Sequence, residues 1–259
     1  MGSALAIRNR LYKSTTEVSY LTMLVLMIDG LHTLNLGVLQ RFVLRVFWSL
    51  INANSWHIGG PQEVLHAQSV SLLRSMLMDW YATQRRKNRG LTEVQDLSVE
   101  MLGQGPSQNR LKTKAAETKG LTYFCLHVLA KLGHNIPHLA GPLSQAGRAI
   151  LQYMECLERY PPQPNAQQCQ ILFTLGMRHL RLAKAAGVEL SPKHHLFVHM
   201  LRRTPMAGNP RTYTTFLDES LNRVLASVCR AAYAAVWERR VFTNFSHLQG
   251  RGQRGSGGL

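Results

Sequence analysis

Leu34, Val38, Phe42, Val46 and Leu50 recur every four residues between Leu31 and Asn52. That spacing sets one apolar stripe along a helix, and a stripe of this length exceeds what a single strand usually offers. Similar periodicity continues downstream. Residues 63–84 place Leu65, Leu72, Leu73, Met76 and Trp80 on a helical face, with Pro61 ahead of it where proline is tolerated. Residues 112–132 and 143–159 read as helices closed by Gly133 and by Pro161-Pro162, and residues 166–186 as a helix ending at Gly187. A last long helix is expected over 213–244, burying Leu217, Leu221, Val224, Leu225 and Val228. One stretch differs: Tyr20 to Ile28 is almost continuously apolar and stops at Asp29-Gly30, which reads as a buried strand closed by a turn. The expected class is therefore mainly α, a helical bundle with at most one or two short strands near residues 20–29. Proline-rich breaks are expected at 161–164 and 205–210, and the Gly/Arg/Ser-rich tail, residues 248–259, has too little apolar content to pack.

Composition narrows the function classes. With 259 residues, 45% of them hydrophobic, the chain can bury a core and is not of the disordered class. Its unbroken apolar runs, such as Leu24 to Ile28, are far short of the roughly 18–20 residues of a membrane span, so no membrane partner is expected. The opening MGSALAIRNRLYK lacks a secretory pattern. Four cysteines without a Cys-x-x-Cys argue for a reducing compartment rather than a disulfide framework or a zinc knuckle. A net charge of +16, from 30 Lys+Arg against 14 Asp+Glu, points to an acidic partner, of which nucleic acid is the commonest. The basic clusters Arg85-Arg86-Lys87-Asn88-Arg89 and Arg202-Arg203 are the candidates for phosphate contact. Clusters of this kind also suit helix C-termini, whose dipole favours cations.

Acidic residues are scarce, so one beside an apolar segment stands out. Asp29 ends the early apolar run and precedes the periodic stretch. It is either a helix N-cap or a carboxylate held for a metal. His32 follows three residues later. Lys193, His195 and His199 form Lys-x-His-x-x-x-His, which on a helix puts the two histidines one turn apart, a spacing that suits two metal ligands or two packed core histidines. No glutamate follows the first histidine, so the zinc-protease motif is absent. His32, His195 and His199 together would make a three-histidine zinc set. Glu219 and Asn222 lie in Phe216-Leu-Asp-Glu-Ser-Leu-Asn222 at the head of the last expected helix, where acids favour the dipole.

In order and spacing, Asp29-Gly-Leu-His32-Thr-Leu-Asn-Leu-Gly37, then Lys193-x-His195-x-x-x-His199, Gly208 and Glu219-x-x-Asn222 resemble the later half of the catalytic region of CACTA-type (En/Spm-like) DDE DNA transposases. The likeness touches roughly residues 20–50 and 190–235. Gly30-Leu31 replaces the family's Pro-Met, and Asn209 separates Gly208 from Pro210. The resemblance implies an RNase H-like remnant at 14–56, a helical insertion at 57–190 and a glutamate-bearing block at 191–247, with residues 1–13 and 248–259 as tails. It implies Asp29 and Glu219 as metal-binding catalytic carboxylates. His32, Lys193, His195, His199 and Asn222 would support them, and Mg2+ or Mn2+ would be the ion of a complete site. It further implies DNA as partner, a nuclear location and self-association in intact members. The 28 residues ahead of Asp29 hold no aspartate, so this chain supplies two of the three carboxylates. Poor metal binding and little strand transfer are expected of it. The alternative is a basic helical protein that binds nucleic acid without catalysis.

Overall fold

The computed structural model describes residues 28–87, 90–103 and 111–214, and these are helical with no strand among them. Seven helices follow in order: α1 Leu31–Asn52, α2 Gln62–Arg86, the single turn α3 Val99–Leu102, α4 Ala115–Leu132, α5 Pro137–Arg159, α6 Ala166–Ala185 and α7 Pro192–Ala207. Short 3-10 turns occupy Gly133–Asn135 and Pro210–Tyr213. The strand expected near 20–29 lies outside the described residues except for Ile28 and Asp29, which are irregular backbone. The helix expected over 213–244 also lies outside them, apart from Tyr213 and Thr214, as do both terminal tails.

The α1 stripe is realised in full, since Leu34, Val38, Phe42, Val46 and Leu50 are all buried. So are Val43, Phe47 and Ile51, which lie off that stripe. These residues widen the stripe to about half of the helix circumference, with Arg41, Arg45 and Asn52 on the other side, and two cores divide α1 between them. Its first half contributes Leu34, Val38 and Leu39 to a core with Ile150 and Tyr153 of α5, Leu172 of α6 and Phe197 and Leu201 of α7. Its second half contributes Phe42, Phe47 and Trp48 to a core with Leu73, Leu77 and Trp80 of α2, Phe124 of α4 and Leu143 of α5. Segments from 31–52 and 57–190 therefore contribute to both cores, and 191–213 to the first of them. By length and composition α1 could also cross a membrane, with a mean hydropathy of 1.3 over its most apolar window, a property the short unbroken runs do not reveal. In this fold 83% of that window is covered by protein.

Several polar side chains on α1 are tied to neighbouring segments, as buried polar atoms need partners. Asn35 Nδ2 donates to the Ala115 carbonyl, Gln40 Nε2 to Thr113, Arg45 Nε to Ala186 and Trp48 Nε1 to Leu102. Arg41 pairs with Glu189 at 3.1 Å.

Three helix expectations need correction. On α2 the buried face is Val70, Leu73, Leu77, Trp80 and Tyr81, whereas Leu72 is 43% exposed. Leu72 and Leu73 are adjacent and point about 100° apart on a helix, so only one can lie in the stripe. Helix α5 begins at Pro137, six residues earlier than the apolar pattern suggests. Pro137 occupies the first position, where its missing N–H has no intrahelical partner, and Pro142 removes a single bond within the second turn. Helix α7 likewise runs through Pro205, forgoing one bond in its final turn, and stops at Gly208 with φ of 83°.

The residue after that stop holds the α5–α6 connection in place. Asn209 is 1% exposed; its Nδ2 donates to the carbonyls of Leu157 (2.9 Å), Tyr160 (3.1 Å) and Pro161 (3.4 Å). Its backbone N–H donates to Pro162 and its Oδ1 accepts the Arg211 N–H. One side chain thus satisfies carbonyls left open at the end of α5. Replacing Asn209 with Ala should cost about 2–3 kcal/mol in urea unfolding. Asn209→Asp should cost more at neutral pH, because it turns an acceptor toward those carbonyls. Equal midpoints for wild type and N209D would show the cluster to be unimportant.

Candidate functional site

Asp29 caps α1. Its Oδ1 accepts the Leu31 N–H at 3.1 Å and its Oδ2 accepts the His32 N–H at 2.9 Å. The same Oδ2 faces His32 Nδ1 at 2.5 Å. With Nδ1–H donated to the carboxylate, the His32 lone pair is left on Nε2. Of the two roles the sequence leaves open for Asp29, the capping role is realised in the geometry.

Lys193 connects this end of α1 to α7. Its Nζ donates to the Leu36 carbonyl at 3.1 Å across 157 positions of sequence. Its methylene stem crosses Gly37, where a Cβ would fall 2.6 Å from Lys193 Cδ and 2.8 Å from its Cβ. Glycine is required there because the lysine stem occupies the space a side chain would fill. The first nine residues of α1, Leu31–Leu39, wind as a π-helix, a form that is rare and enriched at functional positions.

His195 and His199 sit on the outer face of α7, one turn apart as the spacing predicts, with their Nε2 atoms 2.8 Å from each other and their rings at 86°. Among the described residues no three His, Cys, Asp or Glu side chains gather to hold a metal ion. The three-histidine zinc set is therefore not formed: His32 is engaged by Asp29, while His195 and His199 engage each other. Glu219, Asn222 and Arg89 lie outside the described residues.

The basic clusters are placed at helix ends. Arg85 and Arg86 fall in the last turn of α2 and Lys87 caps it, as the dipole favours. Both oxygens of Glu93 accept from Arg85 at 2.6 Å, whereas Arg86 and Lys87 are exposed. Arg202 is exposed and Arg203 half-buried on α7.

Two further histidines stand out in the structure with no signal in the sequence pattern. His179 and His194 are buried, at 0% and 3% exposure. His179 Nδ1–H donates to the Ala146 carbonyl at 2.9 Å, and its ring stands edge-on to Phe42. His194 Nδ1 accepts the Ser191 N–H at 3.0 Å, which closes the first turn of α7. These bonds fix opposite tautomers: His179 keeps its lone pair on Nε2 and His194 its proton there. Neither Nε2 has a hydrogen-bond partner among the described residues. Burial lowers the pKa of both to about 4, helped by His194 near His179 and by the Arg41 guanidinium near His194. A histidine spacing that suits metal ligands does not single out a position used as a cap.

No family model, no curated protein and no solved structure matches the chain.

Because both imidazoles are held neutral with lowered pKa, the unfolded chain takes up protons before the folded one. Stability should be intact above about pH 6.5 and fall as the pH drops toward 4, by up to about 3 kcal/mol for each group. His179→Asn with His194→Asn keeps both Nδ1-side hydrogen bonds and removes the titration. The double variant's urea midpoint should decline less with acid than wild type. Parallel declines would show that the two rings carry none of the acid sensitivity.

Proposed function

We propose that the chain is a DDE-transposase-like protein that contacts DNA through basic helix ends, with residues 14–56 as the remnant of an RNase H-like domain and no strand transfer by the chain alone. The observation that carries this reading is the Lys193 to Leu36 hydrogen bond over Gly37. It makes one packed unit of the two segments whose motifs resemble the family, although they stand 157 positions apart in sequence. Residues recruited to a common centre from distant segments are what such a centre needs.

The carboxylates favour a smaller role for metal. Asp29 already accepts two amides, and the described residues gather no set of three metal-binding side chains. Glu219 would be its partner for Mg2+ or Mn2+, and residues 1–28 contain no aspartate to complete the set. This favours a second reading, a basic helical nucleic-acid-binding protein without catalysis. The reading frame upstream of Met1 separates the two: an aspartate closing an apolar strand there supports the first, and its absence supports the second.

Both readings rest on DNA contact, tested by fluorescence anisotropy with duplex DNA over a salt series. Arg86→Ala with Lys87→Ala should reduce the slope of log K against log salt by about 0.9 for each phosphate that is no longer neutralised. Arg85→Ala should change it less, because Glu93 already holds that guanidinium. No salt-dependent binding by wild type, or an unaltered slope in the double variant, contradicts the proposed contact.

A further inference from the structure

The histidine pair on α7 has a second use that depends on neither reading above. We propose that His195 and His199 chelate one zinc-type divalent ion through their Nε2 atoms, with water completing the coordination. The two nitrogens already stand 2.8 Å apart on the outer face of a sixteen-residue helix. Zn–N bonds of about 2.0–2.1 Å at a tetrahedral angle place two ligand nitrogens about 3.3 Å apart. Insertion of the ion thus opens the pair by about half an ångström, through rotation of two rings on one rigid backbone.

Chemistry selects the ion. Imidazole nitrogen suits Zn2+, Cu2+ and Ni2+, whereas Mg2+ requires oxygen. The proton that one Nε2 now donates to the other moves through solvent to Nδ1 of its own ring when the metal binds, so both rings ligate as neutral imidazoles and no net H+ is released. His195 is exposed, so the remaining coordination positions open to solvent. Arg202 and Arg203 lie within two turns and disfavour a dication, which restricts the site to modest affinity.

The test is calorimetric titration of the full chain with Zn2+ near neutral pH in the absence of DNA, paired with thermal unfolding at saturating Zn2+. Wild type should take up one ion at this site and melt at a higher temperature when loaded. His195→Asn and His199→Asn should each weaken binding about tenfold or more and abolish the thermal shift. A His57→Asn, His134→Asn control, altering two exposed histidines elsewhere, should behave as wild type. Circular dichroism confirms that each variant is folded. No saturable binding by wild type, undiminished affinity in H195N or H199N, or an equally weakened control overturns the proposal.

Discussion

The broad buried face of α1 is the constraint from which the rest of the structure follows. Phe42, Val43, Val46, Phe47, Leu50 and Ile51, all at zero exposure, span about half of its circumference. Helices α5, α6 and α7 pack against its first half and α2, α4 and α5 against its second. The cost of enclosing a helix is borne by its polar groups, which need partners outside the helix. Asn35, Gln40, Arg45 and Trp48 find them in the carbonyls of Ala115, Thr113, Ala186 and Leu102. These bonds orient the segments that α1 does not hold through side-chain packing alone.

The candidate site is a consequence of the same enclosure. Lys193 reaches the Leu36 carbonyl because α7 packs against the first half of α1 through Phe197, Met200 and Leu201. Gly37 lets the Lys193 stem lie against α1, and the ammonium then reaches a main-chain carbonyl. Electrostatics across the surface are uneven. Many acids are paired with nearby cations, as in Arg41–Glu189, Arg74–Asp96, Arg85–Glu93 and Lys119–Glu158. Among the described residues Arg86, Lys87 and Arg202 are exposed cations at or near helix ends.

Much of this is legible in the sequence, and what is not has identifiable reasons. Periodicity locates the helices because their buried faces repeat at 3–4 residues, and Gly187 ends α6 with φ of 74°, as a terminal glycine should. Asp29 before a periodic stretch offers a cap as one of two roles, and the backbone amides of Leu31 and His32 realise it. Periodicity cannot choose between Leu72 and Leu73, since each completes an acceptable stripe and only the neighbouring helices decide. Pro142 and Pro205 suggest breaks, yet each removes just one hydrogen bond close to a helix end. Asn209 and His194 are the least legible of all. Asn209 collects the carbonyls of Leu157, Tyr160 and Pro161 from a distant turn, which leaves no local pattern. His194 takes the Ser191 N–H in a role that glutamate or glutamine usually fills. The Lys193 to Leu36 bond is unreadable for the same reason as Asn209, because its partner is remote in sequence.

Native-state hydrogen exchange of the full chain tests the enclosed helix most directly. If α1 is the element around which the others assemble, amides of Val38 to Leu50 exchange only through global unfolding and give the highest protection free energies in the protein. Amides of α2 and α6, each with an exposed face, should open at lower free energy. Exchange of the α1 amides ahead of those in α2 and α6 would contradict the account, because a helix that opens first cannot be what the others are built upon.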